Sequence, residues 1–187
     1  MVFSSYVFLF AFLPIFLGVY YVVPERLRSA WILIASYAFY GWWRLDFLGL
    51  LIAVTVVSYA CALALEKAVT REKKKLWLLV AVVANLGALA YFKYANFGVE
   101  TMNLLLEALG MEPLAWTRIV LPIGLSFFIF QSMSYVIDIY RGTSRPARDL
   151  IDFAAFIALF AQLIAGPVIR YSVVAEQFRH RTHTVEK

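Results

Sequence analysis

Three residues recur at a fixed spacing in the run "LPIGLSFFIFQSMSYVIDIYRG", Leu121 to Gly142: Gly124, Gln131 and Asp138, each seven positions after the last. On an α-helix that spacing lines one stripe, drifting about 20° per step. Gly142 extends the stripe, Ser134 and Tyr135 flank it, and Phe128, Ile129 and Val136 fall on the opposite, apolar side. The pattern predicts a helix with a lipid side and a protein-facing side. An amide and a carboxylate inside so apolar a run need partners, because desolvating either without one is costly. Two readings of Asp138 stand side by side. It lies three residues before Arg141, near a helix C-terminus where a carboxylate opposes the macrodipole, so an ion pair with Arg141 would hold it. Alternatively, it lines a functional cavity together with Gln131, as ionisable residues within membrane helices usually do.

Other residues with chemical potential are sparse. Asp149 is placed to cap the next helix, which puts Asp152 at the third helical position, where a carboxylate is favoured. Gln162, one turn before Gly166, is a buried amide that either lateral packing or a cavity would satisfy, and Arg170 closes the motif "AGPVIR". His180 and His183 have the spacing of a metal pair, but they lie in a polar tail with nothing nearby to complete a site, and a solvated tail is the expectation. Cys61 is the only cysteine and falls in an apolar run, which predicts a small core residue and excludes an intrachain disulfide. There is no phosphate-cradling glycine loop, no dinucleotide fingerprint and no Cys/His metal spacing. From the residues alone, no catalytic residue and no metal site is assigned.

The elements that carry these residues are set by composition. Of the 187 residues 63% are hydrophobic, and the mean hydropathy is +0.78, against about half apolar in a soluble domain. The apolar residues cluster into runs near the roughly 17–25 residues that a spanning helix needs: Val2–Val23, Ser29–Trp43, Phe47–Leu65, Leu76–Phe92, Ile119–Tyr140 and Leu150–Val168. The expected fold is all-α, a polytopic transmembrane bundle of about five to six membrane segments, with residues 1–187 forming one unit. Gly166-Pro167 would break the last segment or make it re-entrant, since irregular backbone is tolerated at membrane depth only under protein cover.

Net charge is +5, and the basic residues flank the apolar runs instead of forming one patch, so the expected partner is a lipid bilayer and not nucleic acid. With the N-terminus outside, the inner loops carry Arg26, Arg28, Lys67, Arg71, Lys73, Lys74, Lys75, Arg141, Arg145 and Arg148, ten in all. The outer loops then carry three: Arg44, Lys93 and Arg118. The positive-inside rule therefore predicts an external N-terminus. Arg170, Arg179, Arg181 and Lys187 in the tail fit that orientation poorly unless the last segment fails to cross. The first run lacks a basic n-region and a small-residue cleavage site, so it is expected to stay as a helix and not to leave as a signal peptide. Between the fourth and fifth runs, "TMNLLLEALG" predicts a short surface helix closed by Gly110. The aromatic ends "SYAFYGWW" and "YFKYANF" predict an interfacial belt.

Five stretches in order, "VFSSYVFLFAFLPIFLGVYY", "SYAFYGWW", "YFKYANF", "LPIGLSFFIFQSMSYVIDIYRG" and "DFAAFIALFAQLIAGPVIR", resemble the N-terminal part of the membrane-bound O-acyltransferase family. The likeness is greatest to bacterial members that acetylate an exported polysaccharide such as alginate. The resemblance implies an inner-membrane enzyme that takes acetyl groups from a cytoplasmic donor, acetyl-CoA, and passes them outward, often to a periplasmic acyltransferase partner. It implies that Gln131, Asp138, Gln162 and Arg170 shape a central cavity, and that no cofactor is bound. The family's catalytic histidine is expected beyond Lys187, so these residues alone are expected to be inactive. Composition by itself also fits a membrane transport or channel subunit, or a scaffold.

Overall fold

The computed structural model describes residues 5–42, 44–163, 169–171 and 173. A π-helical stretch, Phe8–Phe12, runs directly into α1 (Leu13–Val22), and Pro24 separates it from α2 (Glu25–Gly41). α3 (Leu45–Lys67) begins with Asp46 in its first turn and ends with Lys67 in its last, each complementing the helix dipole. Seven α-helices and no strand occur among the described residues, which is the all-α class the sequence predicts. Of these, α3 and α4 are long and apolar enough to cross a membrane, and the apolar stretch Phe8–Val22 is shorter.

α4 (Arg71–Ala108) corrects one expectation. Its N-terminus is capped by the Thr70 hydroxyl, which accepts from the Lys73 N–H at 3.4 Å. It then continues for 38 residues, so "TMNLLLEALG" forms its final turns and not a separate surface helix. The run from Arg71 to Ala108 contains no proline, and single glycines such as Gly87 and Gly98 cost only about 1 kcal/mol each, too little to stop a helix. Gly110 does close it. At φ 71° it lets its own N–H reach Glu107 O (3.0 Å) while the Met111 N–H reaches Leu106 O (2.9 Å), the two bonds of a Schellman cap.

Residues 109–124 then form a strap without regular structure, and α5 (Leu125–Arg141) starts six residues later than the apolar run beginning at Ile119. Pro122 supplies no N–H and Gly124 turns the chain at φ 76°, so the helix cannot begin earlier. Two asparagines one heptad apart on α4 pin the strap. Asn96 Oδ1 accepts from the Ile119 N–H (2.9 Å) and from Trp116 Nε1 (3.0 Å), while its Nδ2 donates to Ile119 O (2.7 Å). Asn103 pairs both ways with the Leu114 backbone, at 2.7 and 3.2 Å. Each amide does for the strap what a neighbouring strand would do in a sheet.

α3 is the hub, packing against α2, α4, α5 and α6. Leu51, Val54, Cys61, Ala62 and Leu65 are its buried face, and Cys61 is the small core residue expected. α5 has no broad lipid side: Phe128, Ile129 and Val136, expected to face outward, are all at most 1% exposed, and Phe130 is the apolar residue of this helix left exposed. Phe128, four residues after Gly124 and three before Gln131, in fact shares the side of the stripe, and α3, α4 and α6 all pack against this helix. The "SYAFYGWW" belt is corrected likewise. Ser36, Phe39 and Tyr40 are buried, Tyr40 donates to Ile123 O at 3.0 Å, and Trp42 is exposed, whereas Trp43 lies outside the described residues.

Because Asn96 alone satisfies three groups of the strap, Asn96→Leu is expected to lower stability by about 1–3 kcal/mol, the cost of leaving such groups unpartnered. The check is thermal unfolding in detergent, with Trp116 emission reporting release of the strap at a lower temperature than global melting.

Candidate functional site

The site is built around a helix that stops in the middle of the bundle. α6 (Leu150–Ala158) begins as predicted, with Asp149 Oδ1 accepting from the Asp152 N–H at 2.8 Å. It ends at Leu159, whose ψ of 109° leaves the helical region, and a single turn, α7 (Phe160–Leu163), follows. In a continuous helix the Phe160 N–H would bond Phe156 O. Here each finds its partner in another helix. The Phe160 N–H donates to Ser36 Oγ of α2 (3.2 Å), and Gln131 Nε2 of α5 donates to Phe156 O (3.2 Å). Ser36 and Gln131 are both at most 1% exposed, so water satisfies neither backbone group. The helix is interrupted at Leu159, a position the sequence did not single out; the break anticipated at Gly166-Pro167 lies outside the described residues.

Packing fixes the break from two further directions. The Phe160 ring sits among four others, Phe8, Phe12, Phe16 and Phe39, at centroid distances of 6.1, 5.2, 5.0 and 5.6 Å, mostly edge-on. At the start of α5, a Cβ on Gly124 would lie 2.7 Å from Leu163 O, closer than such contacts come. The first residue of the stripe is therefore a glycine for two reasons, its positive φ and the backbone of α7 pressed against it.

The stripe itself is real. Gln131 and Asp138 are both buried, at 1% and 5% exposure, two helical turns apart. The Asp138–Arg141 pair is not formed. Arg141 is exposed, and among the described residues the ion pairs are Arg28–Glu25, Arg44–Asp46 and Arg118–Glu100. Pairing would have meant burying a guanidinium beside the carboxylate, and the desolvation of both charges opposes that. Asp138 Oδ2, Gln131 Oε1 and Ser132 Oγ are buried without hydrogen-bond partners, so α5 carries a file of open acceptors. Gln162 is buried in α7, and Arg170 is exposed. Of the four candidate residues, the structure ties Gln131 to α6, keeps Asp138 on the same stripe, and leaves Arg170 at the surface.

Several residues of the site carried no sequence signal. Ser36 sat inside an apparent aromatic belt. The Tyr135 hydroxyl accepts from the Ala147 N–H (3.0 Å), its ring stacks on Phe153 (4.2 Å), and Tyr171 meets the edges of Tyr135 (5.1 Å) and Phe156 (5.2 Å). Tyr135 stood in the sequence only as a flank of the stripe, and nothing local pointed to Ala147 or Phe153 as its partners. The tail histidines, His180 and His183, lie outside the described residues. Among the described residues no three His, Cys, Asp or Glu side chains gather at metal-binding distance.

Comparison with known proteins places this arrangement. Over 188 residues the chain is 54% identical to the probable alginate O-acetylase AlgI of Azotobacter vinelandii, covering 100% of this chain and 38% of that one. It is 55% identical to the protein of the same name from Pseudomonas syringae pv. tomato, again covering 100% of this chain and 36% of the relative. Both relatives are named as O-acetylases, and the likeness covers this chain from end to end. A peptidoglycan O-acetyltransferase of Helicobacter pylori is 30% identical over 213 residues, which cover 98% of this chain and 40% of that one. No protein-family model matches the chain, and no solved structure does. The chain thus spans between 36% and 40% of the length of these three relatives, and the broken helix and the α5 stripe occur within that span.

Ser36→Ala and Gln131→Leu each orphan one end of the interrupted hydrogen bond, and each is expected to lower stability by about 1–3 kcal/mol. Because both hold one break, the double variant should lose less than the sum, with a coupling of at least about 0.5 kcal/mol. Unfolding in detergent of the two singles and the double gives the number directly. Asp138 and Arg141 should behave in the opposite way. A cycle of Asp138→Asn and Arg141→Gln is expected to show coupling below about 0.5 kcal/mol, as for residues that do not interact.

Proposed function

We propose that this chain is part of a membrane O-acyltransferase that passes acetyl groups across the bacterial inner membrane for O-acetylation of an exported polysaccharide such as alginate. The observation that carries the reading is identity above half, over the whole chain, with proteins named as alginate O-acetylases. Acetyl-CoA on the cytoplasmic side is the proposed donor, and a periplasmic acyltransferase the proposed partner that hands the group to the polymer. Five to six membrane segments with the N-terminus in the periplasm fit the ten-to-three distribution of basic residues.

The chemistry needs a nucleophilic hydroxyl to attack the thioester carbonyl, a base to take the hydroxyl proton, and departure of the coenzyme thiolate. Histidine is the commonest such base near neutral pH. Gln131, Ser132 and Asp138 supply open acceptors along a buried helix, which suits the lining of a polar route through the bilayer. In this reading they shape the path, and a histidine outside residues 1–187 does the proton transfer.

The test is polysaccharide acetylation in cells deleted for the native membrane subunit. Full-length protein carrying this chain should restore acetylation, and residues 1–187 alone should not. Restoration by 1–187 that is lost on His180→Ala or His183→Ala would overturn the assignment of the base. Failure of the full-length protein would count against acyl transfer and favour a transport or scaffold role.

A further inference from the structure

α4 is longer than a bilayer needs. Its 38 residues, at about 1.5 Å each, reach about 57 Å, against a hydrocarbon core of roughly 30 Å. The basic run Arg71–Lys75 marks where the helix enters. At a usual tilt of about 20°, about 21 residues cross the core, so the helix leaves it near Asn96. Residues 97–108 then extend roughly 17 Å further, past the headgroups, as an arm on the side where the proposed topology puts the N-terminus. We propose that this arm is the docking surface for the periplasmic acyltransferase partner, which meets it with an apolar patch rimmed by Lys or Arg. The identity of that partner rests on the O-acetylation reading above, whereas the surface rests on the helix itself.

One side of the arm is already taken, because Asn96 and Asn103 hold the strap against it. On the opposite side Phe97, Met102, Leu104, Leu105 and Leu109 fall within an arc of about 160° and are 48% to 74% exposed. No charged residue shares that arc; Gly98, Thr101 and Ala108 fill the rest of it. Large apolar residues gathered in this way outside the hydrocarbon mark a protein contact. The charges at its edge select the occupant. Glu100 and Glu107, seven apart, run along the seam between the strap and the arc. Glu107 is in no ion pair among the described residues, and Glu100 meets Arg118 only at 3.9 Å. A helix that lies on a bilayer carries Lys and Arg beside its apolar face, where this one carries glutamates. Two copies of the arm packed together would set like charges against each other, which opposes association. The chain runs on from α7, which packs on α2, whereas α4 packs on α3 and α5. A separate protein with a basic rim satisfies both the leucines and the glutamates.

The experiment places the photo-crosslinker p-benzoylphenylalanine at Leu105, and separately at Val83 on the exposed mid-membrane side of α4, in full-length protein. The cells carry an epitope-tagged periplasmic acyltransferase. Irradiation should join position 105, and not position 83, to the tagged partner. Glu107→Lys should cut the adduct from position 105 at least fivefold. A lysine suits a helix C-terminus better than a glutamate, so the melting temperature of this variant should be no lower than that of wild type. Adducts of equal yield from both positions, or a yield from 105 that Glu107→Lys leaves unchanged, overturn the proposal. So does an adduct from 105 only to lipid, to a second copy or to a downstream segment of the same protein. Polysaccharide acetylation by the same cells separates the two readings. Acetylation without an adduct from 105 removes the docking surface alone, whereas a charge-dependent adduct in cells that acetylate no polymer removes the O-acetylation reading alone.

Discussion

In an apolar bundle every backbone N–H and C=O has to find a partner within the protein, and one interrupted helical hydrogen bond shows how strongly that constraint organises this chain. The break at Leu159 separates the Phe156 carbonyl from the Phe160 N–H. Gln131 of α5 takes the first and Ser36 of α2 the second. A polar side chain in each of α2 and α5 is thereby committed, and the relative positions of four helices follow. Gly124 under Leu163 O and the phenyl rings around Phe160 are consequences of the same placement.

The same logic recurs at a second irregular segment. The strap at residues 109–124 has no helix or sheet of its own, and Asn96 and Asn103 stand in for the missing ladder. Both devices use neutral amides and hydroxyls, not charges. At the buried break, neutral groups lose less on desolvation than an ion pair would; the strap's bonds, exposed or half-buried, hold the segment by geometry. Asp138 is the exception. Its carboxylate is buried on the stripe with one oxygen unpartnered, while Arg141, close in sequence, faces out.

These features also explain which residues the sequence reading found. Gln131 and Asp138 announced themselves because a polar side chain in an apolar run is conspicuous and because the heptad spacing puts them on one face. Gly110 and Asp149 followed from capping chemistry, which depends on residues within one turn. Ser36 stayed hidden because a serine costs little anywhere, and its partner, Phe160, is 124 residues away. The supposed separate helix at "TMNLLLEALG" failed because hydropathy falls there although helix propensity does not. Burial of Ile129 and Val136 could not be read from α5, since an apolar face suits lipid and protein equally.

By itself, then, the sequence determined the all-α class, the helix caps and the polar stripe of α5. Each depends on local backbone chemistry or on the 3.6-residue period, and both are written into neighbouring residues. Only the tertiary structure decided where the last segment breaks. "FAAFIALFAQL" is made largely of good helix formers and contains neither proline nor glycine, so local propensity favours continuing through Leu159. The chain leaves the helix there because distant side chains, Gln131 and Ser36, take up the Phe156 carbonyl and the Phe160 N–H, and the Phe160 cage rewards the new direction. A break of that kind is stable only when its partners are already in place, and that arrangement exists in the packed bundle alone.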